Sequence, residues 1–211
     1  MTDRCVPDEV AGRRRLGIFG SAFNPPHTGH LILVAEALWK LELDGVRIVP
    51  TGEPYHKDSD YDPGREERLQ LAREAFSGEP ACEVSDLETN RPGPSYTVDT
   101  LRQVATEEPD ADLVLLLGAD AALGLPDWKE PTEVFELAQV AVAPRPGVDR
   151  DEVEEAVTGA GGGHRTTFFP MPRTDITATL IRERIGSGEP FGHLVPQRVA
   201  ERIRERGLYV G

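Results

Sequence analysis

Cysteine is scarce in this chain: Cys5 and Cys82 are the only two among 211 residues. They make no disulfide framework, which fits a reducing compartment and argues against export. Histidine is scarce as well, with five residues, and His56, His164 and His193 show no ligand-like spacing. A zinc site needs about three protein ligands, so no metal site built from side chains alone is expected. No apolar run approaches the length that spans a bilayer, and the opening MTDRCVPDEVAGRRR has no signal-like hydrophobic stretch. A cytoplasmic protein without a membrane partner is expected, with residues 1–14 a flexible leader and 15–211 a single domain. Basic side chains are outnumbered, 23 Lys and Arg against 37 Asp and Glu, giving a formal net charge of -14. That balance argues against a nucleic-acid partner, which would require a basic face. An anionic substrate would have to meet a local cationic pocket in an acidic surround.

What is present is concentrated in GSAFNPPHTGH, Gly20 to His30. Upstream, Leu16 to Phe19 reads as a short apolar strand. Gly20 is expected to give backbone freedom at its end, and Pro25-Pro26 to stop and stiffen the chain. From Leu31 to Leu41, apolar Leu31, Val34, Ala35, Leu38 and Leu41 recur at helical intervals, so a helix starts near Thr28. Its first turn is expected to aim free N–H groups and the positive end of its dipole at the loop. His27 and His30 stand on that turn, where imidazole N–H groups can donate to phosphate oxygens as charge builds on them during reaction.

Strands alternate with helices along the rest of the chain. Strand-like runs cover Gly45–Val49, Ala81–Leu87, Leu113–Leu117, Gln139–Ala143 and Thr166–Phe169. Helical spacing covers Pro63–Phe76, Tyr96–Ala105 with Ser95 as its cap, Asp149–Val157, Ala178–Ile185 and Pro196–Arg206, the last closed by Gly207. The alternation predicts an α/β fold: a Rossmann-like, doubly wound parallel sheet with helices on both faces and C-terminal helices appended. Ligands then bind beyond the C-terminal strand ends. Gly20, Pro50-Thr51, Gly118-Ala119-Asp120 and Pro144-Arg145 should converge there.

The loop GSAFNPPHTGH resembles the HxGH signature of nucleotidyltransferases with a Rossmann-like core, and ITATLIRERI, Ile176 to Ile185, resembles their second signature, ISSTxIR. PSYTVDTL (Pro94 to Leu101), GADAALGLPDWKE (Gly118 to Glu130) and the closing LVPQRVAERIRERGLY are similar to segments of the bacterial nicotinate-nucleotide adenylyltransferase family. The resemblance runs collinearly from about Leu16 to Tyr209. Three positions depart from the pattern: Ser21 for a glycine, Asn24 for a frequent aspartate, and Ala178 for a serine.

The resemblance implies transfer of an adenylyl group from ATP to nicotinate mononucleotide, with pyrophosphate leaving and Mg²⁺ bound mainly through substrate phosphates. It implies that His27, His30 and Arg182 are catalytic. Gly20, Ser21, Phe23, Lys57, Gly118, Asp120, Thr177 and Thr179 would bind ATP and its phosphates, with Asp120 on a ribose hydroxyl. Tyr96, Thr97 and Trp128 would hold the nicotinate nucleotide, Trp128 as a stacking platform. Two alternatives stay open on the residues alone: a sister adenylyltransferase acting on pantetheine phosphate, and a non-catalytic adenine-nucleotide sensor. The sequence does not fix an oligomeric state.

Overall fold

A computed structural model describes residues 12–53 and 61–210. Cys5, His56 and Lys57 lie outside the described residues, as does most of the expected leader. The elements alternate as expected: β1 (Arg14–Ser21), α1 (Thr28–Lys40), β2 (Gly45–Pro50), α2 (Arg65–Phe76), β3 (Cys82–Val84), α3 (Thr97–Glu107) and β4 (Ala111–Gly118). There follow α4 (Ala119–Leu123), a 3-10 turn (Leu125–Asp127), α5 (Pro131–Leu137), β5 (Gln139–Ala143), α6 (Arg150–Gly159), β6 (Thr166–Phe168), α7 (Ala178–Gly186) and α8 (Gln197–Arg206).

The six strands lie in the order β3-β2-β1-β4-β5-β6, with every pairing parallel. The chain winds outward from β1 in one direction and from β4 in the other, so the switch point lies between those strands. Crevices in open α/β sheets form there, outside the carboxyl ends. Side chains alternate across the sheet to two cores. Phe19, Val46, Ile48, Val114 and Leu116 meet α1, α2, α7 and α8 on one face. Leu16, Ile18, Leu113, Leu115 and Leu117 meet α3, α4, α5 and α6 on the other. The doubly wound, parallel architecture is the one expected.

Local departures have identifiable causes. β1 begins at Arg14 rather than Leu16, because Arg14 and Arg15 already pair with Ala111 and Asp112 of β4. Ser95 does not cap α3; its hydroxyl accepts from the Gly52 N–H at 3.1 Å, and Tyr96 holds the cap position. α2 starts at Arg65, after Gly64 at φ 94, and not at Pro63. β3 stops at Val84, because Asp86–Asn90 curls into a turn closed by Asn90 N–H to Asp86 O at 2.9 Å. Helices α4 and α5, of 5 and 7 residues, escaped periodicity because neither completes enough turns to show a repeat. Gly207 closes α8 in the left-handed region at φ 60, as expected. Among the described residues no helix is long and apolar enough to cross a membrane.

Candidate active site

The turn from β1 into α1 buries both histidines, His27 at the helix cap and His30 in the first turn. Their rings stack with centroids 3.8 Å apart and planes 26° apart. The His27 backbone N–H donates to His30 Nδ1 at 3.1 Å. An accepting Nδ1 carries no proton, so the neutral His30 ring has its hydrogen on Nε2. Nε2 stands 3.5 Å from Ser21 Oγ, at the end of β1. Phe19 and Phe23 pack against the His30 ring at 5.8 and 5.0 Å and hold its orientation.

Burial, then the positive charge of Arg145, lowers the pKa of His27 from 6.5 to about 4. Burial, then His27 and Arg145, pushes His30 well below its usual value. Both rings are therefore neutral N–H donors at neutral pH in the free protein. His27 Nδ1 is buried without a hydrogen-bond partner among the described residues.

The start of α1 is less open than expected. Thr28 N–H donates to Leu194 O at 3.0 Å, and His30 N–H to His27 O at 2.9 Å. The segment before α8 crosses over the helix end and takes the first of these donors, so fewer N–H groups of that turn face the loop than expected. Gly20 is also not required for unusual backbone: it has no positive φ, and a Cβ there would meet only Val49 O at 3.9 Å. What Gly20 provides is open, exposed floor at the end of β1.

Several assigned residues take different parts from those expected. Phe23 is 1% exposed and sits in the core, at positive φ, edge-on to Phe19 and Phe76. It forms a wall behind His30 and has almost no surface of its own open to the crevice. Thr177 caps α7, its hydroxyl accepting from Leu180 N–H at 3.1 Å. Thr179 accepts from Arg182 Nη2 at 3.2 Å.

Arg182 meets the histidine loop, its Nη1 donating to Asn24 O at 2.7 Å. At the end of β4, Asp120 faces Arg145, with Oδ1 3.5 Å from Nε. A Cβ on Gly118 would overlap Asp120 Oδ1 and come within 3.0 Å of Arg145 Nε, so glycine lets this pair lie against the strand end as it does.

Arg145 carries no motif that marks it as a site residue in the sequence, although the strand-end rule places it in the crevice. A guanidinium directly after a proline-ended strand, in a chain this acidic, was the available signal. Its side chain is mostly buried, 20% exposed, and its Nε has no hydrogen-bond acceptor of proper geometry among the described residues. Its positive charge reaches both histidines.

Tyr96, Thr97 and Trp128 gather on the α3 side. Lys129 Nζ lies 4.8 Å from the Tyr96 ring centroid and 2.9 Å from Asp99 Oδ2, which brings the residue after Trp128 against the start of α3. Trp128 is half-buried against the core beneath α3. Among the described residues no group of three His, Cys, Asp or Glu side chains could hold a metal ion.

A family model described as cytidylyltransferase-like matches residues 18–184. A Dehalococcoides mccartyi protein named "probable nicotinate-nucleotide adenylyltransferase" is 38% identical over 198 residues, covering 92% of this chain and 97% of its own length. The chain belongs to the nicotinate-nucleotide adenylyltransferase family. An Albidiferax ferrireducens protein with the same name is 39% identical over 204 residues, covering 93% of this chain and 98% of its own. A solved Plasmodium falciparum nicotinic acid mononucleotide adenylyltransferase, complexed with NaAD, superposes with a TM-score of 0.79 over 93% of this chain and 97% of that one. At 14% identity that likeness speaks for the fold alone. In the present member of the nicotinate-nucleotide adenylyltransferase family, the helix α7 meets the β1–α1 loop through the bond from Arg182 to Asn24 O.

Proposed function

We propose that the protein transfers the adenylyl group of ATP to nicotinate mononucleotide, forming nicotinate adenine dinucleotide and pyrophosphate, in NAD biosynthesis in the cytoplasm. The observation that carries this reading is the approach of Arg182, on α7, to the backbone of the loop that holds His27 and His30. Two neutral imidazoles and two guanidiniums, Arg145 and Arg182, then face the same strand ends from separate parts of the chain.

The chemistry asks little covalent work of the protein. The nucleophile is a 5′-phosphate, already anionic at neutral pH, so no general base is required. The demand is to align two polyanions for in-line attack at the α-phosphorus and to stabilise charge on the departing pyrophosphate. His30 Nε2–H, fixed as a donor by the bond to Nδ1, and His27 serve that purpose without reorganising during reaction. Arg182 adds a guanidinium fork for the outer phosphates. Arg145 faces both histidines and the same anion, and an incoming polyanion opposes its effect on their pKa values. Gly20, Ser21 and Gly118 line the floor, and Asp120 stands ready for a ribose hydroxyl.

Mg²⁺ neutralises charge between phosphate oxygens when bound. With no side-chain cluster suited to it among the described residues, substrate phosphates and water would supply its ligands. A mostly apolar cavity of about 280 Å³, lined by Ala119, Pro144, Val148, Phe168 and Phe169 together with Arg150, opens at the ends of β4, β5 and β6 and suits a purine ring. Trp128 and Tyr96 offer aromatic surface to the pyridine ring, and Thr97 lies at the N-terminus of α3, where a nicotinate carboxylate is favoured.

The test is pyrophosphate release from ATP and Mg²⁺ with nicotinate mononucleotide, nicotinamide mononucleotide or pantetheine phosphate as acceptor. Nicotinate mononucleotide is expected to react best. Turnover with pantetheine phosphate alone contradicts the reading.

A further inference from the structure

Arg68, on α2, is the most deeply buried cation among the described residues, at 1% exposed, and nothing in the reaction outlined above uses it. Its bonds explain its place. Nη1 donates to Thr51 O at 2.5 Å and to Ala22 O at 3.3 Å, Nη2 donates to Gly52 O at 2.8 Å, and Nε donates to Asp62 Oδ1 at 3.0 Å. Ala22 belongs to the loop of His27 and His30. Thr51 and Gly52 follow β2, and Gly52 N–H in turn donates to Ser95 Oγ, in the segment that leads into Tyr96 and Thr97. One guanidinium therefore joins the loop assigned to the triphosphate to the loop that leads to the acceptor.

Packing α2 on the sheet requires no charge there. An apolar side chain would fill the space without the desolvation cost of burying a cation. What such a side chain could not do is satisfy three carbonyls from two loops at fixed mutual spacing. The rigid, planar fork of arginine does this and the single ammonium of lysine does not.

We propose that Arg68 is a positioning residue for adenylyl transfer: it sets the distance and angle between the two substrate loops and so the line of attack on the α-phosphorus. The inference rests on the assignment of those loops under the proposed function. Apart from Lys57, the groups assigned to each substrate lie on one side of the joint, so loosening it leaves binding nearly intact and spoils alignment, to which in-line transfer is steeply sensitive.

The experiment measures kcat, both KM values and thermal unfolding for the wild-type protein and Arg68→Lys, with rates expressed per folded molecule. The lysine variant is expected to unfold cooperatively, keep each KM within about threefold and lose about tenfold to a hundredfold in kcat. Where it does not fold, Asp62→Asn decides. That variant weakens the hold on Nε, because a neutral amide oxygen takes the place of a charged carboxylate, and a loss of about threefold in kcat with unchanged KM values is expected. A folded variant with wild-type kcat, or a loss confined to one KM, overturns the positioning role and leaves the reaction standing. A wild-type protein that forms no dinucleotide overturns both.

Discussion

Arg182 donates a hydrogen bond to the main-chain carbonyl of Asn24 at 2.7 Å, closing a gap of 158 positions along the chain. This contact makes one site of two signatures that share no neighbourhood in sequence. It also fixes the guanidinium, since Nη2 is held by Thr179 at 3.2 Å. One edge of the fork is spent on the protein, and the remaining donors are left for phosphate.

Arg182→Lys keeps the charge but cannot hold both Asn24 and Thr179 while presenting donors to a phosphate. A loss on the order of tenfold in kcat/KM for ATP is expected, with a smaller change in KM for the acceptor. Steady-state kinetics with each substrate varied in turn check this.

The fold was largely legible because the strands are short apolar runs ended by Gly or Pro, and the helices between them are mostly long enough to repeat. Leu113–Leu117 and the Leu31–Leu41 pattern could hardly be anything else. The parts that were misread are those decided by tertiary neighbours. Ser95 looks like a helix cap in sequence, but a backbone N–H from Gly52 reaches it first. Phe23 sits inside the signature, and only the folded chain shows that its ring is buried behind His30. Arg145 and Arg68 carry no motif of their own; only the folded sheet puts one beside Asp120 and the other under two loops. Lys57 falls outside the described residues, and its assignment to a phosphate stays a proposal.

His30→Ala removes an Nε2–H donor held in place before reaction begins. A fall in kcat of about a hundredfold or more is expected, because a preorganised donor to developing charge contributes on that scale. The melt should remain cooperative, although the vacated space between Phe19 and Phe23 lowers its midpoint. A folded variant with near-normal turnover removes this histidine from the chemistry.

Acid stability follows from His27. Its folded pKa of about 4 lies below the 6.5 expected when unfolded, so the unfolded chain binds more protons as pH falls. The contribution is intact above pH 6.5 and is lost progressively toward pH 4. At about pH 5 the loss from this group is about 2 kcal/mol, and His30, shifted the same way, adds to it. Urea unfolding at about pH 7.5 and 5 measures the difference, and a His27→Gln variant should show a smaller one. Equal acid sensitivity in that variant would contradict a buried neutral imidazole.

The central claim is that a triphosphate lies between the stacked imidazoles and Arg182, over the ends of β1 and β4. The most direct measurement is a crystal structure of the protein with a non-hydrolysable ATP analogue, Mg²⁺ and nicotinate mononucleotide. The account predicts phosphate oxygens within hydrogen-bond distance of His30 Nε2 and of the Arg182 guanidinium, with the pyridine ring on the Trp128 side. A triphosphate bound elsewhere, with both groups facing empty solvent, would contradict it.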